Sequence, residues 1–218
     1  MTPIDFFDLS NFEHADLFDE NAPAWRALTL LKNRLSIMQL GNIKGFVEEG
    51  AILVNPELIS IGEGSVVEAG AYIRGPCFIG KGCEVRHGAY IRGDLITGDG
   101  CVIGHATEIK HSILLNKAHA AHFAYVGDTI LGNRVNLGAG VKCANFRFDG
   151  KGVRVAEKES GMRKLGAIIG DDVQIGCNAV TMPGTLIGKR SYLYPCLNIR
   201  GVIPQDSIIK QGSIFQSA

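Results

Sequence analysis

The chain has 218 residues, of which 46% are hydrophobic and 20% charged, so one packed domain can form and wholesale disorder is excluded. Its 22 basic and 22 acidic residues cancel, which argues against a nucleic-acid-binding protein or a polybasic protein of membrane surfaces. No apolar run approaches the roughly 18 residues that a membrane-spanning helix needs. We therefore expect neither nucleic acid nor a membrane as a partner.

Residues 1–45 differ in pattern from the rest of the chain and are predicted to form a helical cap or linker. Residues 21–25, Asn-Ala-Pro-Ala-Trp, supply a plausible N-cap and an early proline. An apolar stripe with steps of four and three follows, at Ala24, Leu28, Leu31, Leu35 and Met38. We expect this helix to close the first coil of the next segment or to join a neighbouring domain, because solenoid ends need covering.

From residue 61 onward an aliphatic position recurs every six residues. It occurs at Ile61, Val67, Ile73, Ile79, Val85, Ile91, Thr97, Ile103, Ile109, Leu115 and Ala121, then after a slip at Val126, Leu131 and Leu137, and again over residues 169–199. Six residues of α-helix rotate by roughly 600° and scatter such side chains around its circumference. Short strands joined by sharp turns suit this period, and the 28 glycines permit the turns. The pattern is the hexapeptide signature of a parallel β-helix, which we predict over residues 46–207.

Cysteine usage indicates a reducing compartment. The six cysteines include no C-x-x-C pair and no zinc-finger spacing, and the N-terminus lacks the basic start and apolar stretch of a signal peptide. Cys77, Cys83 and Cys101 occupy small inward positions of the repeat, where a free thiol acts as a small hydrophobic group. We therefore expect a cytoplasmic protein with reduced, structural cysteines.

Two further segments depart from the repeat. Residues 143–168 are rich in lysine and arginine and lie between two regular stretches of the array. A loop of this length in a compact array is usually functional or disordered, so we treat it as an insertion into the β-helix. Residues 208–218 are expected to form a C-terminal tail.

Several motifs add a resemblance to a known family. They occur at residues 90–92, 108–112, 122–128, 136–140 and 143–146, with Phe-Arg-Phe-Asp-Gly-Lys from residue 146 and Arg-Lys-Leu-Gly-Ala-Ile-Ile-Gly-Asp from residue 163. The chain resembles the left-handed β-helix acyltransferases over about residues 60–205. It is most similar to the C-terminal acetyltransferase domain of the bifunctional N-acetylglucosamine-1-phosphate uridylyltransferase/glucosamine-1-phosphate acetyltransferase, particularly the form joined to archaeal-type sugar-1-phosphate nucleotidylyltransferases. The resemblance implies an all-β, left-handed parallel β-helix and a homotrimer.

The resemblance also implies a function, acetyl-CoA-dependent N-acetylation of an amino-sugar 1-phosphate, and a set of site residues. His122 matches the general base. The matches to sugar and phosphate contacts are Arg92, Lys110, Tyr125, Asn136, Asn145 and Lys164. Ala139 and Cys177 match contacts to acetyl-CoA, with cysteine in place of serine, and Phe146 replaces the tyrosine of the family's Cys-Asn-Tyr-Asp-Gly segment.

These residue types suit the chemistry. An amine must be neutral to attack a thioester, and a histidine can accept its proton near neutral pH. A sugar phosphate carries close to two negative charges, which arginine and lysine can bind through charge-assisted hydrogen bonds. A backbone N–H group in the Gly-Ala-Gly turn at residues 138–140 could stabilise the developing oxyanion.

Two other functions remain open. His87 and His105 are 18 residues apart and should lie one coil apart on the same face. This arrangement makes a zinc enzyme similar to the gamma-class carbonic anhydrases an alternative function. However, no histidine pair here has the five-residue separation of those ligands, and we expect no metal. A stand-alone β-helix could also be a non-catalytic scaffold or regulatory subunit of a sugar nucleotidylyltransferase. Nucleotidyl transfer itself is not expected, because no glycine-rich nucleotide loop precedes the repeat.

Overall fold

The six-residue period folds into very short parallel strands, three to a coil, with one sharp corner after each strand. The computed structural model describes residues 1–211 and 213–216. Eight complete coils and the start of a ninth stack into a left-handed parallel β-helix, which confirms the predicted fold class. None of the helices in the described residues is long and apolar enough to cross a bilayer.

Each coil gives one strand to each of three sheets. Sheet 1 contains β1 (Phe46–Val47), β4 (Val66–Val67), β7 (Glu84–Val85), β10 (Val102–His105), β13 (His119–His122), β16 (Asn136–Leu137), β21 (Gln174–Ile175), β24 (Tyr192–Leu193), β27 (Ser207–Lys210) and β28 (Ser213–Gln216). Sheet 2 contains β2 (Ile52–Val54), β5 (Tyr72–Arg74), β8 (Tyr90–Ile91), β11 (Glu108–Lys110), β14 (Tyr125–Gly127), β17 (Lys142–Cys143), β22 (Val180–Thr181) and β25 (Asn198–Ile199). Sheet 3 contains β3 (Ile59–Ile61), β6 (Cys77–Ile79), β9 (Leu95–Thr97), β12 (Ser112–Leu114), β15 (Ile130–Leu131), β20 (Ala167–Ile169), β23 (Thr185–Ile187) and β26 (Val202–Ile203).

The slip in the repeat occurs earlier than the sequence predicted. Leu114 and Ala120 line the interior, whereas the predicted Leu115 packs on the outside of sheet 3 and Ala121 is only half-buried. The reason is a shorter corner: a single residue, His111, separates β11 from β12 and adopts a left-handed conformation with φ 45°. The coil is thereby shortened by one residue, and the inward positions move back by one.

The interior consists of stacked aliphatic side chains with small residues between them. Cys77, Cys83 and Cys101 are buried there as predicted, and Cys143 joins them. Each aliphatic residue packs on its equivalent in the next coil, so the core is one continuous column.

The N-terminal segment covers the side of the β-helix, and the prediction that it closes the first coil is wrong. It contains two short 3-10 helices, Pro3–Asp5 and Ala15–Leu17, and helix α1, Arg26–Ile37. The predicted stripe is buried against the outer face of sheet 3, whose central side chains are Ile96, Ile113, Ile130, Ile168 and Leu186. Burying each such side chain contributes about 1.5–3 kcal/mol. The helix therefore packs on the side of the β-helix, against the apolar outer face of sheet 3.

The insertion and the C-terminus are both more regular than the sequence suggested. Between β17 and β20 the chain forms a hairpin of β18 (Arg154–Val155) and β19 (Lys158–Glu159), and Val153, Val155 and Leu165 are buried in the same cluster as the N-terminal segment. At the C-terminus β27 pairs with β24, so the predicted tail from residue 208 begins inside a strand. The rest of that prediction falls partly on residues 212, 217 and 218, which lie outside the described residues. A third 3-10 helix, Pro56–Leu58, lies in the first coil.

Candidate functional site

The predicted base and both predicted coenzyme contacts lie in one column of residues. The column, here the corner-1 column, follows the turn between sheets 1 and 2 through successive coils and contains His87, His105, His122, Ala139 and Cys177. His105 lies opposite His122 in the strand register. The Gly140 N–H donates to the His122 carbonyl at 3.1 Å, and the Asn178 N–H donates to the Ala139 carbonyl at 2.8 Å.

The His122 side chain is exposed at this corner and free to meet a ligand. It forms no hydrogen bond or ion pair within the described residues, and its ring lies 6.3 Å from that of Phe123. The side chain projects outward. The inward position of this strand is occupied by Ala120, one residue earlier than the repeat predicted. His122 therefore has the accessibility that proton transfer to or from an acceptor requires.

One backbone donor in the neighbouring turn is also available. The Gly138 N–H donates to the Ile175 carbonyl at 2.7 Å, and the Gly140 N–H is engaged by His122 as described. The Ala139 N–H has no partner in the described part of the chain. Ala139 therefore has the free N–H group of this turn, next to His122 along the column.

Asn136 lies apart from the other predicted sugar contacts. It sits on the outer face of sheet 1, where it lines a groove of about 360 Å³ together with Cys177, Tyr192 and Tyr194. Tyr125 lies on sheet 2, on the other side of corner 1. Within one chain, the corner separates Asn136 from Tyr125.

The three predicted phosphate-binding cations meet at the next corner, corner 2, between sheets 2 and 3. Arg92, Lys110 and Lys164 line a cavity of about 390 Å³, here the inner cavity. Arg92 donates to the Glu108 carboxylate at 2.7 Å. Lys164 reaches the cavity from the insertion, where its backbone forms an isolated antiparallel β-bridge with that of Phe146.

A buried carboxylate that the sequence analysis missed holds this corner together. Asp128 is 5% exposed and accepts a hydrogen bond from Lys110 Nζ at 2.6 Å and a second from Asn145 Nδ2. Asn145 Nδ2 also donates to the Tyr125 hydroxyl at 3.2 Å. Lys110 lies opposite Gly127 in the strand register, so Asp128 is the corner residue that follows in the next coil, and a spacing close to one coil was the available signal.

Helix α1 adds a wall to the inner cavity that the repeat could not reveal. Lys32 lines the cavity, and its Nζ lies 3.5 Å from Asp94 Oδ2. His111 Nδ1 lies 3.7 Å from the same carboxylate oxygen. The nearby His111 imidazole, followed by the charge of Lys32, lowers the pKa of Asp94 below its ordinary value. The N-terminal segment thus contributes to the candidate site as well as to the core.

The insertion builds a second cavity, here the outer cavity, which adjoins the first. It measures about 670 Å³ and shares Asp128 and Lys164 with the inner cavity. Phe146 and Arg163 complete its open side, with the Arg163 guanidinium 5.7 Å and Lys164 Nζ 5.9 Å from the centre of the Phe146 ring. The region that the sequence marked as an insertion therefore forms part of a cleft.

The remaining histidines of the column stack on each other. The rings of His87 and His105 are nearly parallel, 6° apart in orientation and 5.7 Å apart at their centres. Each Nδ1 donates to a backbone carbonyl, that of Ala69 at 2.6 Å and that of His87 at 2.9 Å. In the described residues, no group of three or more His, Cys, Asp or Glu side chains is arranged to hold a metal ion.

The fold is that of a hexapeptide-repeat β-helix protein, and comparisons with known proteins show what the chain is similar to. The family described as "GMPPB C-terminal domain" matches residues 73–160, and "Hexapeptide repeat of succinyl-transferase" matches residues 59–74 and 166–193. Among solved structures, the Francisella novicida UDP-N-acetylglucosamine acyltransferase matches with a TM-score of 0.54 at 13% identity, covering 79% of this chain and 68% of that one.

Two sequence relatives match part of this chain at higher identity than the solved structure does. The bifunctional sugar-1-phosphate nucleotidylyltransferase/acetyltransferase of Sulfurisphaera tokodaii is 44% identical over 92 residues, 40% of this chain and 23% of the relative. The bifunctional protein GlmU of Methanococcus aeolicus is 40% identical over 105 residues, 47% of this chain and 26% of the relative. The chain spans about a quarter of the length of these relatives. The predicted resemblance is thereby confirmed for the region of the repeat.

Proposed function

We propose that the protein is an acetyl-CoA-dependent N-acetyltransferase whose acceptor is an amino-sugar 1-phosphate. One observation carries the proposal: neighbouring coils of the β-helix hold His122, Ala139 and Cys177 in the corner-1 column and Arg92, Lys110 and Lys164 at corner 2. A base beside a coenzyme path and a cationic cleft across one sheet are the two parts that acetylation of a sugar phosphate needs.

The acceptor binds across sheet 2 with its phosphate at corner 2. Lys110 and Lys164 contact the phosphate through charge-assisted hydrogen bonds, and Arg92 contributes at the cleft's edge. Asp128 and Asn145 act indirectly, since they hold the Lys110 ammonium and the Tyr125 hydroxyl in place. Tyr125 then lies between the two corners, where it can contact the sugar.

At corner 1, His122 accepts a proton from the acceptor's ammonium or from the nitrogen as it attacks the thioester carbonyl. Acetyl-CoA supplies the acetyl group, and its pantetheine arm runs along the groove beside Cys177. The Ala139 N–H donates to the carbonyl oxygen as negative charge develops on it. The new C–N bond forms, the C–S bond breaks, and His122 returns its proton to the departing thiolate or to water.

The test measures thiol release from acetyl-CoA with a panel of amino sugars and their 1-phosphates. Glucosamine 1-phosphate or galactosamine 1-phosphate should react, and the free amino sugars should react poorly. Equal rates with and without the phosphate would remove the corner-2 assignment. If no acceptor in the panel causes thiol release, and acetyl-CoA binding is undetectable, the proposal is overturned in favour of a non-catalytic scaffold.

A further inference from the structure

One histidine of the inner cavity has no role in the function proposed above. His111 is the single residue of corner 2 between β11 and β12, and its side chain is only 16% exposed. It lines the inner cavity beside Lys110 and Asp94. Because the side chain is largely buried at this wall, its imidazole is held next to the space in which the acceptor's phosphate is placed.

Two features of His111 are unfavourable in the protein by itself. Its backbone is left-handed, with φ 45°, a conformation that a residue with a Cβ atom adopts at a cost. Its Nδ1 atom is buried and has no hydrogen-bond partner within the described residues. Asp94 Oδ2 lies 3.7 Å away, which is too far for a hydrogen bond. A buried ring nitrogen without a partner destabilises a fold, so a proton or a ligand that completes its bonding is favoured.

Four lysine and arginine side chains line the inner cavity, and three of them already have a carboxylate partner. The three pairs are Arg92 with Glu108 at 2.7 Å, Lys110 with Asp128 at 2.6 Å and Lys32 with Asp94 at 3.5 Å. Lys164 is the fourth and contacts no carboxylate within the described part of the chain. A phosphate monoester carries close to two negative charges at neutral pH, because its second pKa is about 6. One unpaired lysine therefore leaves about one of those charges without a counter-charge.

We propose that His111, in its protonated form, is a further phosphate-binding residue of the acceptor site. Its Nε2–H group donates to a phosphate oxygen, and the Asp94 carboxylate orients its Nδ1–H group. Histidine is the side chain that gains a positive charge near neutral pH, so it supplies the missing counter-charge when a phosphate binds. The assignment rests on the proposed function for the identity of the acceptor, and on the inner cavity for the phosphate itself.

The sign of the pH dependence follows from this role. An anion that binds the protonated imidazole more tightly should gain affinity as the pH falls from 8 to 6. A phosphate monoester takes up a proton itself near pH 6, whereas sulfate keeps both charges over the whole range and is the cleaner probe. Aspartate, lysine and arginine side chains ordinarily keep their charges over this range. The charged groups that face His111 across the cavity are Arg92 and Asp94 of the preceding coil, Lys110 of its own coil, Asp128 of the next coil, Lys32 of α1 and Lys164 of the insertion.

The experiment measures binding of sulfate and of glucosamine 1-phosphate to the full chain by calorimetry at pH 8 and pH 6. The parent should bind sulfate about fivefold or more tightly at pH 6, since one charge-assisted hydrogen bond contributes about tenfold or more to affinity. His111→Asn should bind sulfate equally at the two pH values, within about twofold. Asparagine tolerates the left-handed conformation and stays neutral, so the corner is preserved. His105→Asn, at the exposed corner 1, is the matched control and should behave like the parent.

Proton uptake provides a measurement that needs no variant. Calorimetry at pH 7 in two buffers of different ionisation enthalpy should show that the parent takes up protons as sulfate binds, because sulfate itself takes up none. The proposal is overturned if no protons are taken up, if sulfate affinity does not depend on pH, or if His111→Asn keeps the parent's pH dependence. Acetyl transfer that coexists with any of these results would leave the proposed function standing without His111. Sulfate binding that depends on His111, in a protein that transfers no acetyl group, would count against the proposed function alone.

Discussion

At corner 2 a single buried carboxylate determines which substitutions are informative. Lys110→Ala would leave Asp128 buried without its ammonium partner, and an unpaired buried charge destabilises the fold by several kcal/mol. Loss of binding would then be mixed with loss of folding. Lys164 makes only a cation–π contact with Phe146 within the described residues, so its removal tests binding alone.

Lys164→Ala is therefore the substitution we expect to report on phosphate recognition. It should raise KM for the phosphorylated acceptor about ten- to a hundredfold, the effect of losing one charge-assisted contact of about 1.5–3 kcal/mol. KM for acetyl-CoA should stay within twofold. Lys158→Ala, in the exposed hairpin of the same insertion, is the control. Steady-state kinetics of both variants provide the check, and equal KM values in the two would contradict the assignment.

His122→Ala should separate catalysis from folding. The side chain is exposed and makes no hydrogen bond within the described residues, so the melting temperature should change by no more than about 2 °C. The acetylation rate should fall about 10²–10⁴-fold, as for other lost general bases. His105→Ala, one coil away in the same column, is the matched control and should keep both. Unchanged acetylation by His122→Ala would show that the base lies elsewhere.

Thiol labelling gives an independent view of the coenzyme path. Of the six cysteines, only Cys177 and Cys196 are exposed, and burial raises the pKa of the Cys143 thiol to about 11. A disulfide reagent should therefore modify two thiols in the folded protein and six after denaturation. In a Cys196→Ser variant, acetyl-CoA at ten times its Kd should slow modification of Cys177 about tenfold. Labelling of Cys177 at an unchanged rate would argue against a coenzyme contact there.

At the scale of elements, the sequence predicted the strands well and the packing between elements poorly. The six-residue period located the inward side chains, because stacked coils repeat the same environment. It gave no information on outward positions, and so the flank covered by α1 was missed. The available signal was the pair of adjacent apolar residues in sheet 3 strands, such as Ile130 with Leu131 and Ile168 with Ile169, which is typical of strands buried on both faces.

The candidate site shows the same division. Arg92 and Lys110 could be placed together from their 18-residue spacing, since that is one coil. Lys32 could not, because its position depends on where helix α1 docks. The outer cavity could not be predicted either, because it is built by the insertion, where the period that fixes geometry is interrupted.

Docking of the N-terminal segment should weaken at acidic pH because of one buried histidine. His14 packs edge-on against Phe78 at 4.6 Å and Phe12 at 5.7 Å, and its Nε2 is buried without a partner in the described residues. Burial lowers the pKa of His14 below its ordinary value of 6.5, and the charge of Glu13 opposes this only in part. The unfolded state then binds the proton more readily than the folded state, so stability is complete above pH 6.5 and falls below it.

A melting-temperature series from pH 5 to pH 7.5 checks this prediction. The parent should be less stable at pH 5, and His14→Leu should flatten the profile because it removes the titrating group while keeping an apolar contact. His105→Leu, at an exposed position, should follow the parent's profile. If His14→Leu keeps the full acid sensitivity, another group is responsible for it.

At the scale of the whole molecule, two of the three walls remain open. Sheet 3 is covered by the N-terminal segment, whereas sheets 1 and 2 and the corner between them expose apolar side chains. These include Phe46, Tyr90, Phe123 and Tyr192. Asn136 and Tyr125 lie on opposite sides of that corner, so one acceptor can contact both only if a neighbouring copy supplies one of them. An assembly of copies around corner 1 would satisfy both observations.

We therefore expect a homotrimer with a mass near three times 23.4 kDa in which corner 1 lies at the interface. Phe123 is 52% exposed at this corner, directly after His122, so Phe123→Glu should place a charge in the interface and dissociate the assembly. If neighbouring copies share the site, acetylation should fall with the trimer fraction and recover at higher protein concentration. Phe148→Glu adds the same charge at a fully exposed position of the insertion and should leave a trimer. Light scattering at micromolar concentration decides the matter: a monomeric parent would rule out the shared site, and a trimeric Phe123→Glu variant would place the interface on another wall.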